Sequence, residues 1–322
     1  MSTERPGPAA PSARLAALLE SRRVVVADVG ARHGAPLRWR PLRSLVSVIG
    51  FEPDAEECGR LNAAAGPQER FLPVALAGAP GRRAFYVCRD PGCSSLYRPN
   101  AELVREFPFG SEMEVVAETT LEVTTLDAAL AAEGVEPDVL KLDAQGAELE
   151  ILEGGPNAVA ATLAIELEVE FAPQYRGQPL FADVDRHLRA AGFALLALRR
   201  TAWRHRSAFP GLRPAAGGRL IHGDALYYND ARLRDATVPW LLAKMLLVLH
   251  AYRQHDFILH MLGAPHRGLS GITAADRRAL ARDLVQSRGL GRRLAAVPAA
   301  WLRILRDAVR RPEPMAWHDP GL

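Results

Sequence analysis

Short apolar runs rich in β-branched residues recur along the first two thirds of the chain, separated by stretches with helical periodicity. The first run, residues 24–29, is followed by glycines at positions 30 and 34, and a second run covers residues 45–51. Buried parallel strands give such continuous runs, and glycines after a strand favour a tight turn. The pattern therefore predicts a buried strand, a tight turn into a helix, and a second parallel strand.

The alternation continues to about residue 230 and predicts an α/β fold with a doubly wound, mostly parallel sheet. Further strands are predicted at 70–75, 139–143, 162–168, 193–198 and 224–228, and helices at 12–22, 54–65, 126–133, 146–153 and 181–191. Strand-like residues 84–89 and 114–123 flank a turn cluster, which indicates a β-hairpin insertion.

Composition narrows the class of protein only modestly. The net charge is +3, and because only Lys141 and Lys244 are lysines, 38 of the 40 basic residues are arginines. Such a skew indicates a GC-rich coding background, so no nucleic-acid partner is expected from arginine content alone. The three cysteines are expected to be free thiols in the cytoplasm. No apolar run is long enough to suggest a transmembrane segment.

The first strand and turn have the features of a nucleoside site. Glycines allow close approach of the backbone, and Glu52 at the end of the second strand can accept hydrogen bonds from both ribose hydroxyls. A dinucleotide pyrophosphate favours three glycines and no negative charge at the turn, whereas this turn has two glycines and begins at Asp28. The acidic rim instead suits S-adenosylmethionine, which carries a sulfonium, an ammonium group and a ribose.

Several short motifs then occur in a family-specific order. They are residues 28–34, 51–54, 93–97, 124–127 and Leu140-Lys141-Leu142-Asp143-Ala144-Gln145-Gly146-Ala147-Glu148. Together they resemble the FkbM-type methyltransferases, a class I Rossmann-like family that uses S-adenosylmethionine. The resemblance covers about residues 22–230 and implies O-methylation of a hydroxyl, commonly on a saccharide or secondary metabolite. Arg32 departs from the family pattern, which usually has asparagine there.

The residues and the resemblance together define a predicted cofactor site. Asp28 is expected to hold the methionine ammonium, and Ser95 to close over the cofactor from the insertion. The predicted cofactor-binding residues are Asp28, Gly30, Ala31, Arg32, Gly34, Glu52, Pro53, Ala75, Ser95 and Asp143.

The predicted catalytic residues are Asp143, Lys141 and Glu168. Asp143 ends a core strand, where ligands bind in open α/β sheets, and is expected to assist proton removal. Lys141 lies on the same side of that strand and either forms an ion pair or orients the acceptor. Glu168 belongs to an alternating acidic run that should reach a cleft. These carboxylates offer oxygen ligands for Mg²⁺, but such groups are common without metal, and no metal site is predicted.

Three regions follow along the chain. Residues 1–22 are predicted as a tail and short helix, 23–230 as the methyltransferase domain, and 231–322 as a helical extension. Within the extension, residues 240–262 are predicted as one helix or a helix pair and residues 274–309 as further helix. The extension either packs on the domain or a second subunit, giving a homo-oligomer, or presents an anion-binding surface. Because every nucleoside motif precedes it, a chain ending after Asp230 is expected to keep cofactor binding.

Two other functions are compatible with the same fold. One is an NAD-dependent oxidoreductase, which the acid at the turn and the missing third glycine disfavour. The other is a non-catalytic binding or assembly module that retains the fold. The expected partner is a small-molecule or glycan acceptor, whose identity the sequence does not give.

Overall fold

A computed structural model describes residues 13–19, 21–207, 217–264, 267–269 and 271–285 of the chain. The strands of these residues are β1 (Val24–Val29), β2 (Val46–Phe51), β3 (Glu69–Leu72), β4 (Ala75–Leu76), β5 (Gly81–Cys88), β6 (Val115–Thr124), β7 (Val139–Leu142), β8 (Ala164–Glu170), β9 (Phe193–Trp203) and β10 (Arg219–Asn229). The α-helices are α1 (Ala13–Leu18), α2 (Ala55–Ala64), α3 (Ala101–Val104), α4 (Leu126–Glu133), α5 (Glu148–Glu153), α6 (Pro156–Ala161), α7 (Phe181–Ala190), α8 (Asp230–Arg234), α9 (Pro239–Ala251), α10 (His255–Gly263) and α11 (Ala274–Val285).

Within the described residues, seven strands form the central sheet in the order β3-β2-β1-β7-β8-β10-β9. The pairs from β3 to β8 are parallel, and β10 is antiparallel to both of its neighbours. The order reverses between β1 and β7, and ligands bind at such a switch point outside the carboxyl ends of the strands. The predicted doubly wound, mostly parallel sheet is confirmed.

The insertion forms a second, three-stranded sheet of order β4-β6-β5. The antiparallel pairing of β5 with β6 confirms the predicted hairpin. The prediction that Ala75 ends the third core strand is wrong, because that strand stops at Leu72 and Ala75 pairs with Val123 in the small sheet. Pro73 separates the two segments, since proline has no N–H for the ladder.

The connection from β1 to β2 also differs from the prediction. No α-helix follows the turn after β1; the chain forms a 3₁₀ helix, Leu37–Leu42, instead. Pro36 precedes this helix and Pro41 lies within it. Proline removes a backbone donor and clashes with the preceding turn of an α-helix, so this stretch cannot continue as one.

The two faces of the central sheet bury separate apolar cores. Alternate strand residues, among them Ala27 and Leu140, pack against α4 to α7 on one face. Val24, Val26 and Val139 face the opposite side, where their core is shared with residues of α1, α9, α10 and α11. Because successive strand side chains point to opposite faces, one strand contributes to both cores.

Residues of the predicted C-terminal extension therefore share the apolar core on one face of the sheet. Ten of the 13 residues of α9 are buried, and α1 packs against the same helix. Lys244 of α9 forms a 2.6 Å ion pair with Asp138, which also accepts a hydrogen bond from the Val25 N–H. The stretch predicted at 240–262 as one helix or a helix pair forms a pair, α9 and α10, which are separated by a turn at Arg253 with a φ of 58°. The part of the predicted 274–309 helix beyond Val285 lies outside the described residues. No helix in the described ranges is both long and apolar enough to cross a bilayer.

Candidate functional site

A cleft of about 300 Å³ lies at the switch point, outside the ends of β1, β2 and β7. Ligand pockets are typically concave and largely apolar with a few placed polar groups. Apolar walls come from the sheet and from the insertion, for example Phe51, Leu76, Phe85 and Val87. Of the predicted cofactor residues, those that line it are Gly30, Arg32, Glu52, Pro53, Ala75, Ser95 and Asp143.

Gly30 allows the turn after β1 to pass directly under the end of β7. Its φ is 76°, and a Cβ added there would lie 1.9 Å from the backbone oxygen of Asp143. Its N–H donates to the Phe51 carbonyl at 3.0 Å, which fixes the turn against the neighbouring strand. Only glycine is compatible with both the left-handed conformation and this approach, so the backbone itself forms the floor of the cleft.

Glu52 is a buried carboxylate at the end of β2, with only 4% of its surface exposed. It accepts a hydrogen bond from the Asp54 N–H at 3.0 Å, and Arg32 Nη1 lies 3.7 Å from it. Burial raises its pKa, while the bond from Asp54 and the charge of Arg32 oppose that rise. The carboxylate still has lone pairs for the two hydroxyls of a ribose.

Arg32 bridges two acids beside this position, because its Nη1 also lies 3.3 Å from Asp54 Oδ2. Asp54 caps α2 by accepting the N–H groups of Glu56 and Glu57. Its pKa is lowered, first by the bond from Glu57 and then by Arg32, despite partial burial. The arginine therefore stays in the cleft as a cation held by its own chain.

The expected role of Asp28 does not match its position. Asp28 is 1% exposed and does not line the cleft. Lys141 Nζ lies 3.1 Å from its Oδ1 and 3.7 Å from Oδ2 of Asp143. The two carboxylates raise the pKa of Lys141 although burial opposes this. Asp28 thus forms a buried ion pair, which supports the ion-pair alternative for Lys141, and Asp143 is the more exposed of the two acids.

Two other predicted positions also lie behind the cleft. Ala31 packs with Cys58, Leu61 and Phe71 beneath the turn. Gly34 has a φ of 75°, and its nearest contact for an added Cβ is the Leu61 side chain at 3.4 Å. Both shape the turn and do not form the cleft wall.

Gln145 connects Asp143, at the end of β7, with Glu168 of β8 and was not among the predicted site residues. Its Nε2 donates to Asp143 Oδ1 at 2.8 Å and to Glu168 Oε2 at 3.1 Å. The hydroxyl of buried Tyr175 donates to its Oε1 at 2.7 Å. Gln145 has a φ of 54°, which is uncommon outside glycine and clusters at functional sites. The sequence feature that could have identified Gln145 as a site residue is its position within the motif at residues 140–148.

Glu168 does not line the cleft itself but is hydrogen-bonded to Gln145, which does. It is bonded to Gln145 on one side and paired with Nδ1 of His222 on the other. Burial raises the pKa of Glu168, and the bond from His222 opposes that rise. His222 was not predicted as a site residue, because no sequence spacing relates it to Glu168; the two meet through antiparallel pairing of β10 with β8.

Glu148 and Glu170 complete this acidic group without reaching the cleft. Glu148 accepts the N–H groups of Ala144 and Gly146 at 2.7 and 3.0 Å, which shapes the turn after β7. Burial and then the charge of Glu168 raise its pKa to about 8. Across the described ranges, no His, Cys, Asp and Glu side chains are grouped so that they could hold a metal ion.

Ser95 joins the insertion to the central sheet at the cleft. Its hydroxyl donates to the Gln145 carbonyl at 2.6 Å and accepts the Tyr97 N–H at 2.9 Å. Ser94, Ser95 and Leu96 line the cleft next to Gln145. The insertion thus forms the outer wall of the cleft, as expected for a segment that covers a bound cofactor.

Comparisons with known proteins agree with this geometry. Residues 28–195 match the family model described as the methyltransferase FkbM domain. A 2-O-methyltransferase, NoeI of Sinorhizobium fredii (strain NBRC 101917 / NGR234), is 28% identical over 180 residues, covering 53% of this chain and 74% of that protein.

Solved structures resemble the chain only distantly. The magnesium protoporphyrin IX methyltransferase of Synechocystis PCC 6803, with bound S-adenosylmethionine, is 14% identical at a TM-score of 0.35 and covers 67% of this chain and 76% of that one. A putative tRNA methyltransferase of Streptococcus pneumoniae is 14% identical at a TM-score of 0.31 and covers 86% and 96%. Overlaps of this size add nothing to what the strand order already shows.

Proposed function

This chain belongs to the FkbM methyltransferase family, and from this we propose that it transfers a methyl group from S-adenosylmethionine to a hydroxyl of a small molecule or glycan. When bound, S-adenosylmethionine supplies an electrophilic methyl group on a sulfonium sulfur. The observation that carries the proposal is Glu52, a buried carboxylate with free lone pairs in the cleft beside the Gly30 turn. This arrangement fits a ribose and the adjoining chain of the cofactor.

The residues of the chain fall into two groups around the cleft. On the cofactor side, Glu52 would accept the ribose hydroxyls, Gly30 would admit the methionine portion, and the apolar wall with Pro53 and Ala75 would hold the adenine. On the acceptor side, Asp143, kept in place by Lys141 and by Gln145, would orient the reacting groups. Glu168 would act through Gln145 as a positioning residue. Most of the rate would come from such positioning.

The cofactor side is tested by Glu52→Ala. A carboxylate that accepts two hydroxyl hydrogen bonds makes charge-assisted contacts worth about 1.5–3 kcal/mol each. We expect the dissociation constant for S-adenosylhomocysteine, measured by isothermal titration, to rise at least tenfold while the melting temperature stays within a few degrees. Glu57→Ala, which removes an acid of the same region that is paired with Arg60, is the control and should bind as the unchanged chain does.

The titration also separates the alternative functions. Equal binding by Glu52→Ala and the unchanged chain removes Glu52 from the site. Binding of NAD instead of the S-adenosyl compounds would support the oxidoreductase, although no observation favours it. A folded chain that binds neither would support a non-catalytic module.

The acceptor is proposed from chemistry and relatives. The printed name of the similar protein, a 2-O-methyltransferase, favours a hydroxyl acceptor. Incubation with labelled S-adenosylmethionine and a panel of glycosides, followed by mass spectrometry, should show products heavier by one methylene; absence of transfer to every hydroxyl would contradict O-methylation.

Localisation and assembly are further expectations. All three cysteines are free and buried, which supports a cytoplasmic location. A homo-oligomer through the C-terminal helices would have to use their outer side, such as exposed Leu259 of α10, because the apolar side of α9 is covered by the chain itself.

A further inference from the structure

A row of polar and aromatic side chains crosses the central sheet from the end of β7 to β9. We propose that this row is the surface that binds the methyl acceptor, and that the acceptor is an uncharged oligosaccharide and not a single sugar. This assignment rests on the proposed function and names the substrate class of its acceptor side. The residues of this acceptor strip are Asp143, Glu168, His222, Asp224, Arg199 and Trp203.

Strand pairing places the residues of the strip side by side. Glu168 lies opposite Asp224 in the β8–β10 pair, and Asp224 lies opposite Arg199 in the β10–β9 pair. Residues that lie opposite each other in a sheet share a face. At the other end, Gln145 of the cleft wall donates to both Asp143 and Glu168. The strip is therefore continuous from the cleft to β9.

The strip continues past the part of this sheet face that the C-terminal helices cover. Tyr252, at the end of α9, donates to Glu166 at 3.0 Å, and Glu168 is the next residue of β8 on that face. Beyond this row, the side chains of Asp143 and Asp224 are 43% and 37% exposed. Central strands of a doubly wound sheet are normally apolar on both faces, and ligands bind outside the carboxyl ends of the strands. The position and polarity of the strip are thus those of a binding surface.

Each carboxylate of the strip has a basic partner. The pairs are Asp143 with Lys141 at 3.7 Å, Glu168 with Nδ1 of His222, and Asp224 with Arg199 at 2.6 Å. These pairs offer an ionic ligand no uncompensated charge. Their remaining lone pairs and N–H groups suit hydroxyls, because a hydroxyl both donates and accepts hydrogen bonds. The chemistry of the strip therefore favours an uncharged ligand with many hydroxyls.

The strip ends at an aromatic surface. The Trp203 ring lies 6.0 Å from the His222 ring and 5.1 Å from the ring of Phe109, which is 41% exposed. Buried Phe107 packs edge-on against Trp203 at 5.4 Å and holds its ring in place. The C–H groups on one face of a sugar ring pack well on such rings. Aromatic rings beside a few placed polar groups are a common composition of ligand sites.

The length of the strip decides between a single sugar and a longer chain. From Asp143 to Trp203 the strip crosses β7, β8, β10 and β9. Three strand spacings of about 4.8 Å give a length of about 14 Å. One sugar ring does not reach from the cleft to the aromatic end. An acceptor whose reactive hydroxyl lies beside Asp143 would place its second or third ring on Trp203.

The strip is tested on a glycan array that is probed with the labelled full chain, with and without S-adenosylhomocysteine. The array carries neutral glycans of one to four sugar rings and sulfated glycans of the same lengths. We expect binding to neutral glycans of two or more rings, at least about tenfold tighter than to the corresponding single sugars. A chain that binds no glycan, binds single sugars equally well, or binds only sulfated glycans would overturn the proposal.

Variants at the aromatic end then locate the binding. Trp203→Ala should weaken binding of the oligosaccharides at least about tenfold, and Trp203→Phe should recover most of it, because phenylalanine keeps an aromatic face. Phe109→Ala should weaken the same binding and replaces Trp203→Ala if that variant does not fold. Leu259→Ala removes a comparably exposed apolar side chain of α10 and is the matched control. Full binding by both Trp203→Ala and Phe109→Ala contradicts the proposal.

The same measurements separate this proposal from the proposed function. Failure of the unchanged chain to bind S-adenosylhomocysteine contradicts the proposed function, whereas glycan binding that depends on Trp203 still supports the strip. Binding of S-adenosylhomocysteine without binding of any neutral oligosaccharide contradicts the strip alone. Where methyl transfer to an oligosaccharide is measured, Trp203→Ala should raise KM and change kcat much less, because the ring contacts the acceptor away from the reacting atoms.

Discussion

A chain that ends after Asp230 is expected to lose both its cooperative melting transition and its binding of S-adenosylhomocysteine. The removed part contains α9, α10 and α11, which cover the face of the sheet formed by Val24, Val26 and Val139. Burying one large apolar side chain contributes about 1.5–3 kcal/mol, and α9 alone buries six of leucine or methionine. For six side chains this is about 9–18 kcal/mol, which is as large as the 5–15 kcal/mol by which a whole domain is typically stable.

The measurement is calorimetry and light scattering on purified protein, with the titration used for Glu52. A chain ending after Val285 keeps every described helix and is the matched control; it should melt cooperatively and bind the ligand. A chain ending after Asp230 that stays folded and binds with unchanged affinity would show that the sheet does not depend on these helices. That outcome would restore the sequence-based expectation of an independent methyltransferase domain.

Lys141→Met is expected to lower the free energy of unfolding by about 3–5 kcal/mol at pH 7, because it leaves Asp28 buried without its cation. Asp28 is 1% exposed, so water cannot replace the ammonium. The double variant Asp28→Asn with Lys141→Met should recover a large part of this loss, since both charges are then absent. Urea denaturation measures all three proteins.

The pH dependence has a definite sign. Burial already raises the pKa of Asp28, and loss of the Lys141 charge raises it further. A carboxyl whose pKa is higher in the folded protein than in the unfolded chain stabilises the folded state at pH values below the unfolded pKa of 3.8. This contribution is lost as the pH rises through the pKa of the folded protein. The difference in free energy of unfolding between Lys141→Met and the unchanged chain should therefore become smaller as pH falls from 7 towards 4.

The matched control for Lys141→Met is Arg82→Met. Arg82 pairs with Glu122 on the surface, with both side chains more than 70% exposed. Exposed pairs contribute about 0–1 kcal/mol, so this variant should remain close to the unchanged chain. A similarly small effect of Lys141→Met would mean that Asp28 is neutral in the folded protein.

The sequence predicted most accurately those strands and helices whose apolar pattern and boundary residues are both visible in the local sequence. The first strand was predicted at 24–29 and the helix at 126–133, which are the bounds of β1 and α4. Asp54 is the N-cap of α2, which begins one residue after its predicted start. In each case propensity, periodicity and capping residues agree, and such agreement makes an element predictable.

The features that the sequence pattern did not predict depend on contacts between residues that are far apart in the chain. The periodicity of 240–262 shows an apolar helix but not which surface covers it, and the structure places it on the sheet that begins the chain. Asp28 was expected to face a ligand, because nothing local shows that Lys141 lies opposite it in register on β7. His222 and Glu168 are 54 positions apart and meet only through strand pairing.

The shared core of α1 and α9 has a consequence for synthesis on the ribosome. The face of β1 that carries Val24 and Val26 emerges early, together with α1, whereas α9, α10 and α11 of the same core emerge more than 200 residues later. Contacts between such distant parts of a chain form slowly, and transiently exposed apolar surface favours aggregation. The nascent protein therefore carries an open sheet face for most of its translation, and the cleft gains a fully supported floor only when nearly all of the described chain has been made.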